Sequence, residues 1–291
     1  MIRIARICAA TVILPLSAHI ECFEDPNILK MTPHLMEEIV SNPVRADGFG
    51  GQFQTIICSV IFAELSNGKF LYSPFKDMEH NYDNDPDFIK KKEGLINFIG
   101  NFEINDNEQI QLARSAREYV DFFENNLDIC INSSSLKAIK KIFRANKKIE
   151  NYFNPNEFNI AIHIRRPNPH DNRAAGTNTP DSIYINTIDA LREVFSSKKP
   201  LFHIYSQGDI EKFENGFKAD DIILHIDESI EQTFTSLVMA DVLVTSGSSF
   251  SYTAGLISDG TVYYLPFWHP PLPHWIPIVD QKTRQMPPNK S

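Results

Sequence analysis

Two adjacent arginines, Arg165 and Arg166, close a short run in which Ile160, Ile162 and Ile164 alternate with Ala161 and His163, and Pro167 follows. The alternation predicts a buried strand over 159–164 that ends in a site. Ligands in open α/β sheets collect beyond the carboxyl ends of strands. Guanidinium groups placed there suit a di-anion such as a diphosphate, because each presents a fork of parallel N–H donors. The plain alternative is a pair of solvated loop arginines. His163, on the same strand face as Arg165, either hydrogen-bonds a phosphate or sugar or is a satisfied core histidine.

Further stretches carry chemistry of the same kind. Apolar residues 242–245 run into Ser246, Gly247, Ser248, Ser249 and Phe250, where a helix over 250–257 begins. The three hydroxyls and the helix-start amides form a cradle for the rest of a diphosphate; Ser248 or Ser249 also fits as a simple N-cap. The glycine frame differs from the Gly-x-Ser-x-Gly elbow of hydrolases. Asp47, Gly48, Gly50, Gly51 and Gln52 precede a helix over 52–65. These glycines let backbone approach a ligand closely, or make a tight turn. Ser206, Gln207 and Asp209 follow a strand over 201–205 and read a base or ribose, or serve the turn alone. Asp83, Asp85 and Asp87 have the spacing to hold a divalent ion on a diphosphate; without a preceding apolar strand, a solvated acidic loop is the better reading. His269 and His274, near Trp268 and Trp275, line an acceptor site or pack a tail.

The elements that position these groups sharpen after residue 151. Strands over 159–164, 201–205, 222–226, 242–245 and 262–265 alternate with helices over 182–195, 210–215, 230–240 and 250–257, the signature of a parallel, doubly wound sheet. Earlier, a strand over 69–73, a polar loop over 76–92, and helices over 107–126 and 136–149 are expected. The last helix carries a basic face (Lys137, Lys140, Lys141, Lys147, Lys148) that reads as solvated. Pro270, Pro271, Pro273, Pro277, Pro287 and Pro288 exclude a helix or central strand at the end, so that segment is expected to wrap the surface. The division is thus a first lobe over 24–150, a second over 151–270, and a Pro-rich tail over 271–291.

With 291 residues, 42% of them hydrophobic, the chain can bury a large core. A net charge of −9 argues against nonspecific nucleic-acid binding. Cys8, Cys22, Cys58 and Cys130 form no Cys-x-x-Cys pair, which disfavours a zinc ribbon; Cys58 and Cys130 read as small core hydrophobes. Arg3 and Arg6 before an apolar stretch over 7–18 make residues 1–23 a signal-like segment or a first strand, and hence secretory-pathway or cytoplasmic residence. The stretch is too short for a membrane span. Asn132, Ser133 and Ser134 form one glycosylation sequon.

In order along the chain, the glycine loop with Gln52, then His163, Ile164, Arg165 and Arg166, then Ser248, Ser249, Phe250 and Ser251 resemble the motifs of the fucosyltransferase superfamily. Gly51 stands where that family has Asn, Pro167 and Asn168 where it has Gly-Asp, and Tyr252 and Thr253 where its α-1,2 branch has an aromatic pair. Xylosyltransferases of large algal viruses are similar in size and use UDP-xylose. The resemblance implies a GT-B-like α/β fold, two Rossmann-like lobes with a cleft between them. It implies an inverting, metal-independent glycosyltransferase that moves fucose or xylose from a GDP- or UDP-linked donor to a glycan hydroxyl, with no further cofactor. Arg165, supported by Arg166, would stabilise charge on the departing β-phosphate, and Ser248 and Ser249 would hold other phosphate oxygens. Asp47, then His163, are the candidate bases. A non-catalytic glycan- or nucleotide-binding module is the rival; a phosphatase lacks a metal cluster or nucleophile.

Overall fold

Six parallel strands form the sheet that carries the candidate site. They are β3 (Asn159–His163), β4 (Leu201–Ser206), β5 (Ile222–Ile226), β6 (Val242–Val244), β7 (Thr261–Tyr264) and β8 (Ile276–Pro277), in the order β5-β4-β3-β6-β7-β8. Winding starts at β3, runs outward to β5, then returns to β6 on the other side of β3. This is the doubly wound Rossmann order, and its switch point lies between β3 and β6, where Ile162 pairs with Val244. The computed structural model describes residues 38–105, 114–166, 179–214 and 216–278, and these belong to one compact unit. The signal-like segment, Pro167, Asn168 and the tail beyond 278 lie outside the described residues.

Both sheet faces are covered, which is why its strands read as nearly continuous apolar runs. Ile160, Ile162, Phe202, Ile204, Val242 and Val244 face Tyr184, Ile188 and Leu191 of α6 (Asp181–Val194) and Phe213 of α7 (Ile210–Glu214). Ala161, Tyr205, Leu243, Val262 and Tyr264 join a second cluster with α8 (Ile230–Met239) and α9 (Ser249–Ile257).

That second cluster extends into the first half of the chain. There a two-stranded parallel sheet, β1 (Ile39–Ser41) and β2 (Lys69–Leu71), accompanies α1 (Phe49–Leu65), α2 (Phe88–Ile96), α3 (Ala116–Asn125), α4 (Leu127–Cys130) and α5 (Ser134–Arg144). The fold is mixed α/β with parallel sheets. Phe49, Phe53 and Phe143 meet Phe234 of α8, with ring centroids 5.0, 5.9 and 5.7 Å away. The division expected at residue 150 is therefore bridged by one apolar core.

Several elements differ from the sequence reading. α2 forms at the end of the stretch expected to loop out. Its Lys92 is 2% exposed and still sits in the core, because it lies over the Phe88 ring and pairs with Glu231 of α8 at 2.5 Å. α1 starts three residues early, at Phe49, with Gly50 and Gly51 inside the helix. The basic face of α5 is partly engaged: Lys140 donates to the Ser258 carbonyl at 2.7 Å and Arg144 to that of Ile257 at 2.8 Å, satisfying the last carbonyls of α9. Lys147 likewise donates to the carbonyls of Leu95 and Phe143. The Pro-rich end contributes β8, with Pro277 in an edge strand where a missing N–H is tolerated, and Leu272 and Trp275 are buried. Cys58 and Cys130 are buried free thiols. No described helix is long and apolar enough to cross a membrane.

Candidate functional site

His163 is the last residue of β3, and Ser246 follows β6 by two residues. Nδ1 of His163 and Oγ of Ser246 are hydrogen-bonded at 2.8 Å, so one contact spans the switch point. Ser251 of α9 supports it from beneath, its Oγ accepting the Ser246 N–H at 3.0 Å. Ser248 is the N-cap of α9 and accepts the Phe250 N–H at 3.2 Å. The Phe250 ring lies 5.3 Å from that of His163. Burial, and secondly the charge of Arg165, push the His163 pKa down to about 3, so the imidazole is neutral at physiological pH.

The two arginines part company. Arg165 acts electrostatically on His163. Arg166 turns toward α6, donates to the Thr179 carbonyl at 3.0 Å, ion-pairs with Asp181 and lies over the Phe213 ring. Arg166, Asp181, Gln207, Asp209 and Phe213 instead line a cavity of about 410 Å³ beyond β3 and β4. Ser206 Oγ donates to the Ile164 carbonyl at 2.7 Å and Gln207 Nε2 to that of Arg166 at 3.2 Å, fastening the chain that leaves β3. Asp209 accepts the Glu211 N–H at the start of α7.

The glycine loop meets the serine turn, although some 200 positions separate them. A Cβ at Gly50 would stand 2.5 Å from the Phe250 N and Cα. Thr253 Oγ1 also donates to the Gly50 carbonyl at 2.9 Å. The glycine thus admits the backbone of α9, a close approach between chain segments that neither the ligand reading nor the tight-turn reading of the sequence included. Gly48 is the N-cap of α1, with no side-chain cap. Gln52 donates to the carbonyls of Asp47 (2.6 Å) and Asp77 (2.9 Å). Asp47 pairs with Arg45 at 2.5 Å, and Arg45 also donates to Thr55 on α1. A Cβ at Gly51 would lie 2.8 Å from Asp47 Oδ2 and would have to move that carboxylate.

Asp85 pairs with Lys91 at 2.5 Å and accepts the Asp87 N–H, at the approach to α2. Among the described residues, no group of three or more His, Cys, Asp or Glu side chains is placed to hold a metal. His269 and His274 have different neighbours. His274 feels Lys140 of α5, whereas His269 follows β7 and its Nδ1 lies 2.5 Å from Oε1 of Glu124 on α3. Trp268 Nε1 donates to His269 Nε2 at 3.0 Å. Sequence reasoning missed Glu124 and Arg45; no local pattern marks a carboxylate 145 positions from its partner.

No family model matches this sequence, and no curated protein matches it. Solved structures with a similar chain path include fucosyltransferase NodZ from Bradyrhizobium, at 12% identity over 76% of this chain and 94% of that one, TM-score 0.41. Heptosyltransferase WaaC from E. coli, with ADP-2-deoxy-2-fluoro heptose, matches at 10% identity over 83% and 92%, TM-score 0.42. POFUT1 in complex with GDP matches at 13% identity over 77% and 95%, TM-score 0.42. At these scores the likeness says nothing about the residues of the site.

Proposed function

We propose that this chain is an inverting glycosyltransferase that binds a GDP- or UDP-linked fucose or xylose with its phosphates at the β3/β6 switch point and passes the sugar to a glycan hydroxyl. The observation that carries the reading is the His163–Ser246 hydrogen bond across that point, with the start of α9 opening beside it and Arg165 adjacent. A switch point in a doubly wound sheet is a crevice built for a ligand, and helix-start amides with serine hydroxyls suit phosphate oxygens. Ser246, Ser248, Ser249 and Phe250 supply that cradle. The cavity lined by Arg166, Gln207 and Asp209 is of a size for the nucleoside, and Ser206, which fastens the Ile164 carbonyl, precedes Gln207. As the sugar–phosphate bond breaks, negative charge grows on the β-phosphate, and Arg165 stabilises it in the place a metal ion would take.

Arg165→Ala is expected to lower turnover by about 30- to 1000-fold while the fold persists. The readout is nucleoside diphosphate release from GDP-fucose and UDP-xylose, with circular dichroism as the folding control; near-normal turnover sinks the assignment. Release is expected to continue in chelator. Loss under chelator, restored by manganese, would move the charge-stabilising role to a metal at Asp83, Asp85 and Asp87.

One observation favours the rival, a binding module without catalysis. Both candidate bases are engaged: burial holds the His163 imidazole neutral at a pKa of about 3, and Asp47 pairs with Arg45. Calorimetry that detects donor binding, with no release under any acceptor, would establish that rival.

A further inference from the structure

We propose that Glu124 and His269 form the general-base dyad that removes the proton from the acceptor hydroxyl; the proposal rests on the glycosyltransferase reading above. His269 lies in the connection that leaves β7, as Ser246 lies in the one that leaves β6. Its Nδ1 lies 2.5 Å from the Glu124 carboxylate and its Nε2 accepts the Trp268 indole N–H at 3.0 Å. An ionised carboxylate only accepts, so Nδ1 carries the proton and Nε2 presents its lone pair. Fixing a histidine's tautomer through one nitrogen while the other takes a proton is the working arrangement of a general base.

The surroundings hold this imidazole in place. Its side chain is 11% exposed and that of Glu124 is 19% exposed. The Tyr252 ring lies 4.8 Å away, and the Tyr264 hydroxyl donates to the His269 carbonyl. The group on Nε2 is different in kind: Trp268 is 69% exposed and lies on the Phe267 ring with centroids 3.9 Å apart. Phe267 in turn adjoins the serine turn, since a Cβ at Gly247 would stand 3.4 Å from its ring. An acceptor that displaces the indole from Nε2 therefore lies against an aromatic wall next to the donor's phosphates.

In the transfer step the acceptor O–H breaks and its proton passes to Nε2. The oxygen's electron pair forms the bond to the anomeric carbon. The bond from that carbon to the phosphate oxygen breaks, and its pair leaves with the nucleoside diphosphate. Glu124 stabilises the imidazolium so formed. The other titratable or charged groups facing the dyad are Tyr252 from α9, Tyr264 from β7, Arg117 from α3 and Cys58 from α1, whose thiol feels the Glu124 charge.

The test measures GDP release from GDP-fucose and UDP release from UDP-xylose across pH, with a panel of oligosaccharide acceptors, alongside calorimetric donor affinity. His269→Gln is expected to lose about 100- to 10,000-fold in acceptor-dependent kcat, to keep its donor affinity, and to lose the acid limb of the pH–rate profile. Glu124→Gln loses less. Trp268→Phe, an exposed change that leaves folding intact, removes a hydrogen bond to the neutral imidazole of the free enzyme; it is expected to move the acid limb of kcat/KM to higher pH and leave that of kcat, where the acceptor has displaced the indole, in place, a split that a structural role would not give. Wild-type kcat and acid limb in His269→Gln, or loss of that limb in Asp47→Asn instead, overturns the dyad and leaves the transferase reading standing. A donor that binds wild type and is never released overturns the dyad as well. Failure of both donors to bind sinks the transferase reading, and the dyad with it.

Discussion

A neutral histidine beside an arginine makes His163 a sensor of acid as well as a site residue. Its pKa falls from the ordinary 6.5 to about 3 in the folded chain, and burial with His225 nearby lowers that of His203 to about 4. When pH drops below 6.5 the unfolded chain takes up these protons and the folded chain does not. The stabilisation is thus complete above 6.5 and drains away as pH falls toward the folded values, at up to about 1.4 kcal/mol per pH unit for each histidine. Denaturant midpoints are expected to fall from about pH 7.5 to about pH 5, and His203→Gln, remote from the serine turn, is expected to flatten the slope. An unchanged slope in that variant would remove His203 from the account. Sequence put His163 on the right strand end but left its role open, because burial and the Ser246 contact come from β6, 83 positions on. It could not see that Arg166 would be drawn off by Asp181, since the ion pair depends on where α6 begins.

Between elements, the closest fit is that of α1 on α9. Adding a methyl at Gly50 pushes it against the N and Cα of Phe250, backbone atoms that cannot rotate away. Overpacking of this sort costs about 1–3 kcal/mol or more, against about 1 kcal/mol gained in helix propensity. Gly50→Ala is therefore expected to destabilise the protein, whereas Gly94→Ala, in α2 with open space around it, stabilises by about 0.5–1 kcal/mol. Chemical unfolding of both variants checks the sign; equal effects would mean that the α1–α9 contact is looser than described. The first five strands of the large sheet were legible because burial on both faces leaves short apolar runs bounded by turns, and β5 (Ile222–Ile226) falls where its residues place it; the edge strand β8, with Pro277 in it, was not. α2 was not legible: its Lys90, Lys91 and Lys92 read as solvent-facing, and a buried Lys92 becomes tolerable through a distant partner, Glu231 of α8, together with the Phe88 ring. The start of α1 was misplaced because glycines read as loop, whereas these two are helical for the sake of close packing.

For the molecule as a whole, the decisive residue is Phe234. It is fully buried and its ring meets Phe49, Phe53, Phe143 and Phe250, so one side chain joins α1, α5, α8 and α9. A core shared in this way couples the two halves of the chain, and the described residues should unfold as one cooperative unit. Phe234→Ala is expected to cost about 3–5 kcal/mol and to lower the hydrogen-exchange protection of α1 and β3 amides together. Ligand binding should show the same coupling in the opposite direction. A nucleoside diphosphate at 100 times its dissociation constant adds about 2.7 kcal/mol, and GDP or UDP seated at β3 and β6 should then protect α1 as strongly as the strands. Protection confined to the strands, or a melt in which α1 opens first in Phe234→Ala, would mean that the phenylalanine cluster fills space without tying the glycine loop to the serine turn.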